Sequence, residues 1–189
     1  MSARTASKAD TPVVRDSEDA DLPAIAAIYA HHVAHGFGSF EEVPPDLEEL
    51  ARRRHEIVAK GLPYLVASDG VGSALGYAYA SPYRTRSAYR FTVEDSIYVA
   101  PEATRRGIGR LLLEALIQRC TKAGYRQMIA VIGDSGNDGS IGLHRSLGFA
   151  RAALLPAIGW KHGRWVDCVM MQRPLGAGAG APPAEIRKP

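Results

Sequence analysis

The chain has 189 residues, 46% of them hydrophobic and 23% charged, and carries a net charge of +3 at pH 7. With a mean hydropathy of −0.12 and a pI near 8.9, this is the composition of one globular α/β-sized domain rather than a disordered or fibrous chain. The mild basicity suits an anionic ligand, but the long Lys/Arg runs of a nucleic-acid binder are missing, and no stretch nears the roughly 20 apolar residues that span a bilayer.

The start, Met1-Ser2-Ala3-Arg4, has no apolar segment behind it, so a cytoplasmic protein without membrane contact is expected. Residues 1–11 and the Gly/Ala/Pro-rich 176–189 read as flexible tails around a domain at 12–175. Val13-Val14-Arg15 reads as a short strand, with Ser17 as N-cap of a helix carrying Leu22, Ile25, Ala26, Tyr29 and Val33. A second helix is bounded by Pro44-Pro45-Asp46 and Lys60-Gly61. Tyr64 to Ser68 and Ala74 to Ala80 flank Asp69-Gly70 as a hairpin. Thr92 to Val99 is a strand stopped by Pro101. From Gly107 the apolar spacing turns helical through Ile108, Leu112, Ala115, Leu116 and Cys120 until Gly124, and Met128 to Ile132 resumes a buried strand. A helix from Asp138 to Leu147 and strands at Ala152 to Ile158 and Val166 to Met171 complete a mixed-sheet α/β pattern. Cys120 and Cys168 lie in apolar segments without CxxC spacing, so they read as buried thiols, not as a disulfide or metal site.

Arg105-Arg106-Gly107-Ile108-Gly109-Arg110 joins a strand to a helix start. Free backbone N–H groups and the positive end of the helix dipole form an anion site there, glycine lets phosphate approach, and arginine adds charge-assisted bonds. The dinucleotide fingerprint fails because Leu112 stands at the third glycine position, and the Lys-Ser/Thr of a P-loop is absent.

With its strand Ile97-Tyr98-Val99 this segment resembles the acetyl-CoA motif of the GNAT acetyltransferases, Arg/Gln-x-x-Gly-x-Gly/Ala. Thr92-Val93-Glu94-Asp95-Ser96-Ile97-Tyr98-Val99, Asn137 with Ser140-Ile141-x-Leu143-His144 and Gly148-Phe149, and Gly159-Trp160-Lys161-His162-Gly163-x-Trp165-x-Asp167 are similar to the phosphinothricin N-acetyltransferase group. The resemblance implies a mostly antiparallel GNAT sheet flanked by helices on both faces, acetyl-CoA as co-substrate without a metal, and a homodimer. It implies that backbone at Ile97, Tyr98 and Val99 meets pantetheine. Arg105, Arg106, Gly107, Ile108, Gly109 and Arg110 would hold pyrophosphate, and Asn137 and Ser140 would lie against the cofactor.

Acetylating an amine requires a group that accepts the ammonium proton. Glu94 and Asp95 are adjacent, so they point to opposite faces of a strand and only one is expected to face a cleft. The resemblance favours Glu94 as the base, with His144 either orienting it or protonating the departing thiolate. For the acceptor, Arg84 and Arg86 offer forked donors to oxyanions, with Tyr89 and Phe40 as pocket walls. By resemblance the acceptor is the α-amine of a small amino-acid analogue such as phosphinothricin or methionine sulfoximine; a protein N-terminus or a non-catalytic acyl-CoA-binding module are the rival readings. His31, His32 and His35 lack the Glu of an H-E-x-x-H site and read as helix-end residues.

Overall fold

The computed structural model describes residues 11–184 apart from Val71. Among these, seven strands form one sheet in the order β1-β2-β3-β4-β5-β7-β6. They are β1 (Val13–Asp16), β2 (Tyr64–Ser68), β3 (Ala74–Pro82), β4 (Thr92–Val99), β5 (Gln127–Gly133), β6 (Ala150–Lys161) and β7 (Arg164–Pro174). Every neighbouring pair is antiparallel except β4 and β5. The helices are α1 (Leu22–His35), α2 (Leu47–Ala59), α3 (Ile108–Ala123) and α4 (Asp138–Ser146). This is the mixed, mostly antiparallel sheet that the resemblance implies.

The parallel pair needs a crossover, and α3 supplies it. Ile108, Leu112, Leu113, Leu116, Ile117 and Cys120 recur at helical spacing and are all buried against the sheet. Gly124, at φ 100°, closes the helix, and Tyr125 N–H returns to the Cys120 carbonyl. Burying each large apolar side chain of this stripe contributes about 1.5–3 kcal/mol. On the opposite face α1 and α2 cover a ladder of stacked rings: Tyr64 lies 5.0 Å from Tyr79, and Tyr77 5.2 Å from Tyr98. Tyr29 of α1 meets Tyr98 edge-on at 5.0 Å. Asp46 starts α2 by accepting the Glu49 N–H at 2.8 Å.

Two local expectations change. Ser17 does not cap α1: its hydroxyl accepts from Arg54 at 2.7 Å, and a 3-10 turn at Asp19–Asp21 intervenes. Asp21 decides this, because it takes the Glu18 N–H and both arms of Arg15 at 2.7 Å. The last two strands are longer than expected, since His162 and Gly163, at φ 48° and 73°, make a two-residue hairpin turn between Lys161 and Arg164. Of the two segments read as tails, residues 1–10 and 185–189 lie outside the described residues. The stretch after Leu175 turns back through Gly178 and Gly180 N–H bonds, and Arg126 donates to the Ala181 carbonyl at 2.6 Å.

Candidate active site

β4 and β5 pair only from Thr92↔Gln127 to Asp95↔Ala130, although β4 runs on to Val99 and β5 to Gly133. Beyond the Asp95/Ala130 pair the strands part into a wedge, and a cleft of about 870 Å³ occupies it. β3 remains bonded along the other edge of β4 as far as Gly76↔Val99. The edge of β4 that turns from β3 toward the wedge, at Ile97 and Val99, therefore lacks a strand partner and can bond a ligand as a further strand would. Gly76 permits this packing, because a Cβ there would sit 2.8 Å from the Tyr98 carbonyl oxygen.

The mouth of the wedge meets the start of α3. Gly107 takes φ 80° there and Arg105 φ 61°, while the Gly107 carbonyl already accepts from Leu111. The amides of Ile108, Gly109 and Arg110 have no intrahelical partner and form a concave row of donors. Gly109 lets α3 approach α4 and β4: a Cβ would lie 3.2 Å from Leu143 and 3.6 Å from Val99. Arg105 and Arg110 line the cleft and Arg106 stands exposed beside it; Arg110 also bonds Glu114 at 2.9 Å and Ser146 at 3.2 Å. Asn137 caps α4 through its side-chain oxygen, 3.1 Å from the Ser140 amide, and both residues line the cleft.

Glu94 and Asp95 sit at the apex, and both line the cleft. Their side chains point to opposite faces of β4, as adjacent strand residues must: Glu94 is half-buried, while the Asp95 side chain is only 2% exposed. Glu94, with Ser96 and Tyr98, is on the α1/α2 face, where Tyr98 meets Tyr29. Burial first, then the charge of Asp95, push its carboxyl above the ordinary carboxylate value, against a smaller pull from Arg84. Asp95 is on the α3/α4 face, where its Oδ2 meets His144 Nε2 at 3.0 Å. His144 Nδ1 donates to the Ser140 carbonyl at 2.8 Å. The two ring nitrogens are thus committed to Asp95 and Ser140, so His144 engages the neighbour of Glu94 and not Glu94 itself. Burial disfavours charge on this imidazole, yet the hydrogen bond and charge of Asp95 outweigh it and raise its pKa.

The loop after α1 folds over the end of β5. Gly133 is required there: a Cβ would meet the Phe37 carbonyl oxygen at 1.9 Å. Phe40 lines the cleft, its ring within 3.0–3.1 Å of where Cβ atoms on Gly159 and Gly133 would stand. Arg84, Arg86 and Tyr89 are exposed and do not line the cleft; of the three, Arg84 acts on Glu94 through its charge. Arg84 stacks on Tyr83 at 5.1 Å, and Tyr83 meets Tyr89 at 5.7 Å.

Two cleft residues escaped the sequence reading. Asp95 was visible only as the neighbour of Glu94. His32 donates from Nε2 to the Val99 carbonyl at 2.9 Å and is held uncharged by burial. Its signal was its place, three residues after Tyr29, on the same stripe as the buried Ile25 and Ile28.

Residues 25–149 match the family model described as "Acetyltransferase (GNAT) family". The chain is 58% identical over 165 residues to the phosphinothricin N-acetyltransferase of Alcaligenes faecalis, covering 87% of this chain and 83% of that protein. It is 42% identical to the L-methionine sulfoximine/L-methionine sulfone acetyltransferase of Pseudomonas aeruginosa, covering 89% and 98%. The crystal structure of a phosphinothricin acetyltransferase from Sinorhizobium meliloti in complex with AcCoA superposes with a TM-score of 0.90 at 51% identity, covering 93% and 94%. Sequence, fold and the wedge at β4 agree: the chain belongs to the GNAT family and is an N-acetyltransferase of its phosphinothricin N-acetyltransferase-like group.

Proposed function

We propose that this enzyme transfers the acetyl group of acetyl-CoA to the α-amine of a small amino-acid analogue bearing a phosphinyl or sulfur-oxygen group, phosphinothricin or methionine sulfoximine among them. The named activities of the Alcaligenes and Pseudomonas relatives support this substrate class. The observation that carries the reading is the position of Glu94, a half-buried carboxylate of raised pKa at the apex of the wedge, on the face away from α3.

In this mechanism the edge of β4 at Ile97 and Val99 that no strand pairs holds the pantetheine arm, and the amide row after Gly107 takes the pyrophosphate with Arg105 and Arg110. The thioester then reaches the apex. Glu94 accepts a proton from the acceptor ammonium, directly or through one water, and the free amine attacks the thioester carbon. The tetrahedral intermediate loses a second proton, the C–S bond breaks, and His144 protonates the departing thiolate. Arg84 and Arg86 bind the acceptor's oxyanions, with Phe40 and Tyr89 as walls. Burial serves Glu94 here, because a base with a pKa nearer the working pH transfers protons more effectively.

The same enzyme is proposed to work as a homodimer. β6 is an edge strand that exposes Leu154, Leu155, Ile158 and Trp160, with Trp165 of β7 edge-on at 5.3 Å from Trp160. A row of large apolar side chains on an edge is the surface a second copy would cover, and sedimentation of the purified chain at twice the monomer mass tests it.

Incubating the chain with acetyl-CoA and a panel of free amino acids, phosphinothricin, methionine sulfoximine and an alanine-initiated peptide, while following thiol release and product mass, tests the function. N-acetylated phosphinothricin or methionine sulfoximine is expected. Acetylation of the peptide alone would replace this reading with that of a protein N-terminal acetyltransferase.

A further inference from the structure

The Asp95–His144 pair has a feature that the roles given so far do not use. A carbonyl oxygen can only accept, so the 2.8 Å contact to Ser140 places a hydrogen on His144 Nδ1. Asp95 Oδ2 faces Nε2 at 3.0 Å, and two lone pairs cannot face each other there without repulsion. One more proton must therefore lie between these two atoms. Imidazolium with carboxylate and imidazole with carboxylic acid both satisfy the geometry, and both hold that extra, removable proton. The pair is nearly buried, with the side chains of His144 and Asp95 5% and 2% exposed, yet both residues line the cleft. Asp95 Oδ1 is buried as well and has no hydrogen-bond partner, an arrangement that costs free energy and that a purely structural pair would avoid.

Position gives this proton a use. Asp95↔Ala130 is the last rung before β4 and β5 part, so the pair stands at the apex, on the α3 face along which the pyrophosphate site lies. Glu94, one residue earlier, stands at the same apex on the other face. We infer that Asp95 is a positioning residue that loads His144 with the proton that the departing CoA thiolate receives. The inference rests on the acetyl-transfer reading. In the step itself the C–S electron pair leaves with sulfur, the proton held between Nε2 and Oδ2 moves to that sulfur, and the pair regains one from water. Over a full cycle the acceptor ammonium gives up two protons, one ending on CoA and one in solvent. The adjacent acids Glu94 and Asp95 thus serve opposite proton transfers on opposite faces of one strand.

Groups packed around the pair do not compete for the proton. From α3, Cys120 is pushed up to about 12, by burial and then by Asp95, and stays a thiol at neutral pH. Arg110 is engaged with Glu114 and Ser146. From β4, the Glu94 side chain points to the far face. Phe149 closes the remaining side, its ring edge-on to His144 at 5.0 Å.

The test compares wild type with Asp95→Asn, which keeps the shape and removes the acidic oxygen. Imidazole nitrogen NMR of the ligand-free proteins should show that the wild-type pair keeps its shared proton above pH 7 and that Asp95→Asn loses it at least one pH unit lower. At pH 8 kcat should fall roughly 10- to 100-fold, the scale of lost acid assistance, with acetyl-CoA affinity and acceptor KM within twofold of wild type. The decline of kcat at high pH should move to lower pH, while the low-pH side governed by Glu94 stays in place. A pair already without its proton at pH 7 in wild type overturns the inference even if the variant does not fold. An unchanged His144 titration, or wild-type kcat from pH 6 to 9 in Asp95→Asn, also overturns it. If wild type acetylates no small amine, the functional reading fails instead, and the NMR result still decides whether Asp95 loads His144.

Discussion

The two faces of the wedge are built from different materials. The α3/α4 face is mostly backbone: the edge at Ile97 and Val99 that no strand pairs, the amide row after Gly107, and glycines at 76 and 109 that let these surfaces close up. On the α1/α2 face the proposed site relies on side chains of connecting segments, Phe40 after α1 and, by the proposal, Arg84, Arg86 and Tyr89 between β3 and β4. Backbone donors suit a ligand that every family member shares, since they do not change with the side chain. Loop side chains suit an acceptor that differs among relatives, because they can be replaced without disturbing the sheet.

Variants on each face should therefore fail in different ways. The largest effect belongs to the acceptor face: Glu94→Gln should lower turnover roughly 10²- to 10⁴-fold at neutral pH, with acetyl-CoA binding intact by calorimetry. Gly107→Glu should come next, on the cofactor face. It forces a side chain into φ 80° and sets a carboxylate in the amide row, so acetyl-CoA affinity should fall about 100-fold or more, near 3 kcal/mol. Arg84→Ala and Arg86→Ala should raise the acceptor KM about tenfold, the loss of one charge-assisted contact, while leaving acetyl-CoA affinity nearly constant. Unchanged acceptor kinetics in both would remove these arginines from the site. Arg105→Ala or Arg106→Ala should weaken acetyl-CoA by only about threefold, because the amide donors remain and exposed arginines are well solvated. A larger loss in these two would show that side chains, not backbone, hold the anion.

The same difference in material explains what the sequence made legible. The segment proposed to hold the cofactor lies largely within residues 97–110, one strand running into one helix, so glycine spacing and a change of period pointed to it. The proposed acceptor side draws on residues far apart in sequence: Phe37 and Phe40, Glu94, Gly133 and Gly159 are brought together only by the sheet order. No spacing rule announces that Gly133 and Gly159 both make room for Phe40. The Asp95–His144 contact spans 49 residues, and the position of both adjacent acids at the apex depends on where the β4–β5 pairing ends. Periodicity carries no information about that end point. Ser17 shows a different limit: the N-cap signal was sound, but Asp21 offered the chain two arginine bonds and a backbone bond together, and they outweighed one hydroxyl cap.

That the faces divide the chemistry, with Glu94 receiving the acceptor's proton, is tested most directly by the pH dependence of kcat/KM for the acceptor in wild type and Glu94→Gln. Burial raises the Glu94 pKa, so wild-type activity should fall as pH drops through that raised value and Glu94 becomes protonated. In Glu94→Gln that low-pH fall should vanish. The rate should instead climb with pH in step with the free-amine fraction of the acceptor, approaching wild type only under alkaline conditions. Superimposable profiles in the two enzymes would contradict the account, because the acceptor's proton would then leave by a route that does not involve Glu94.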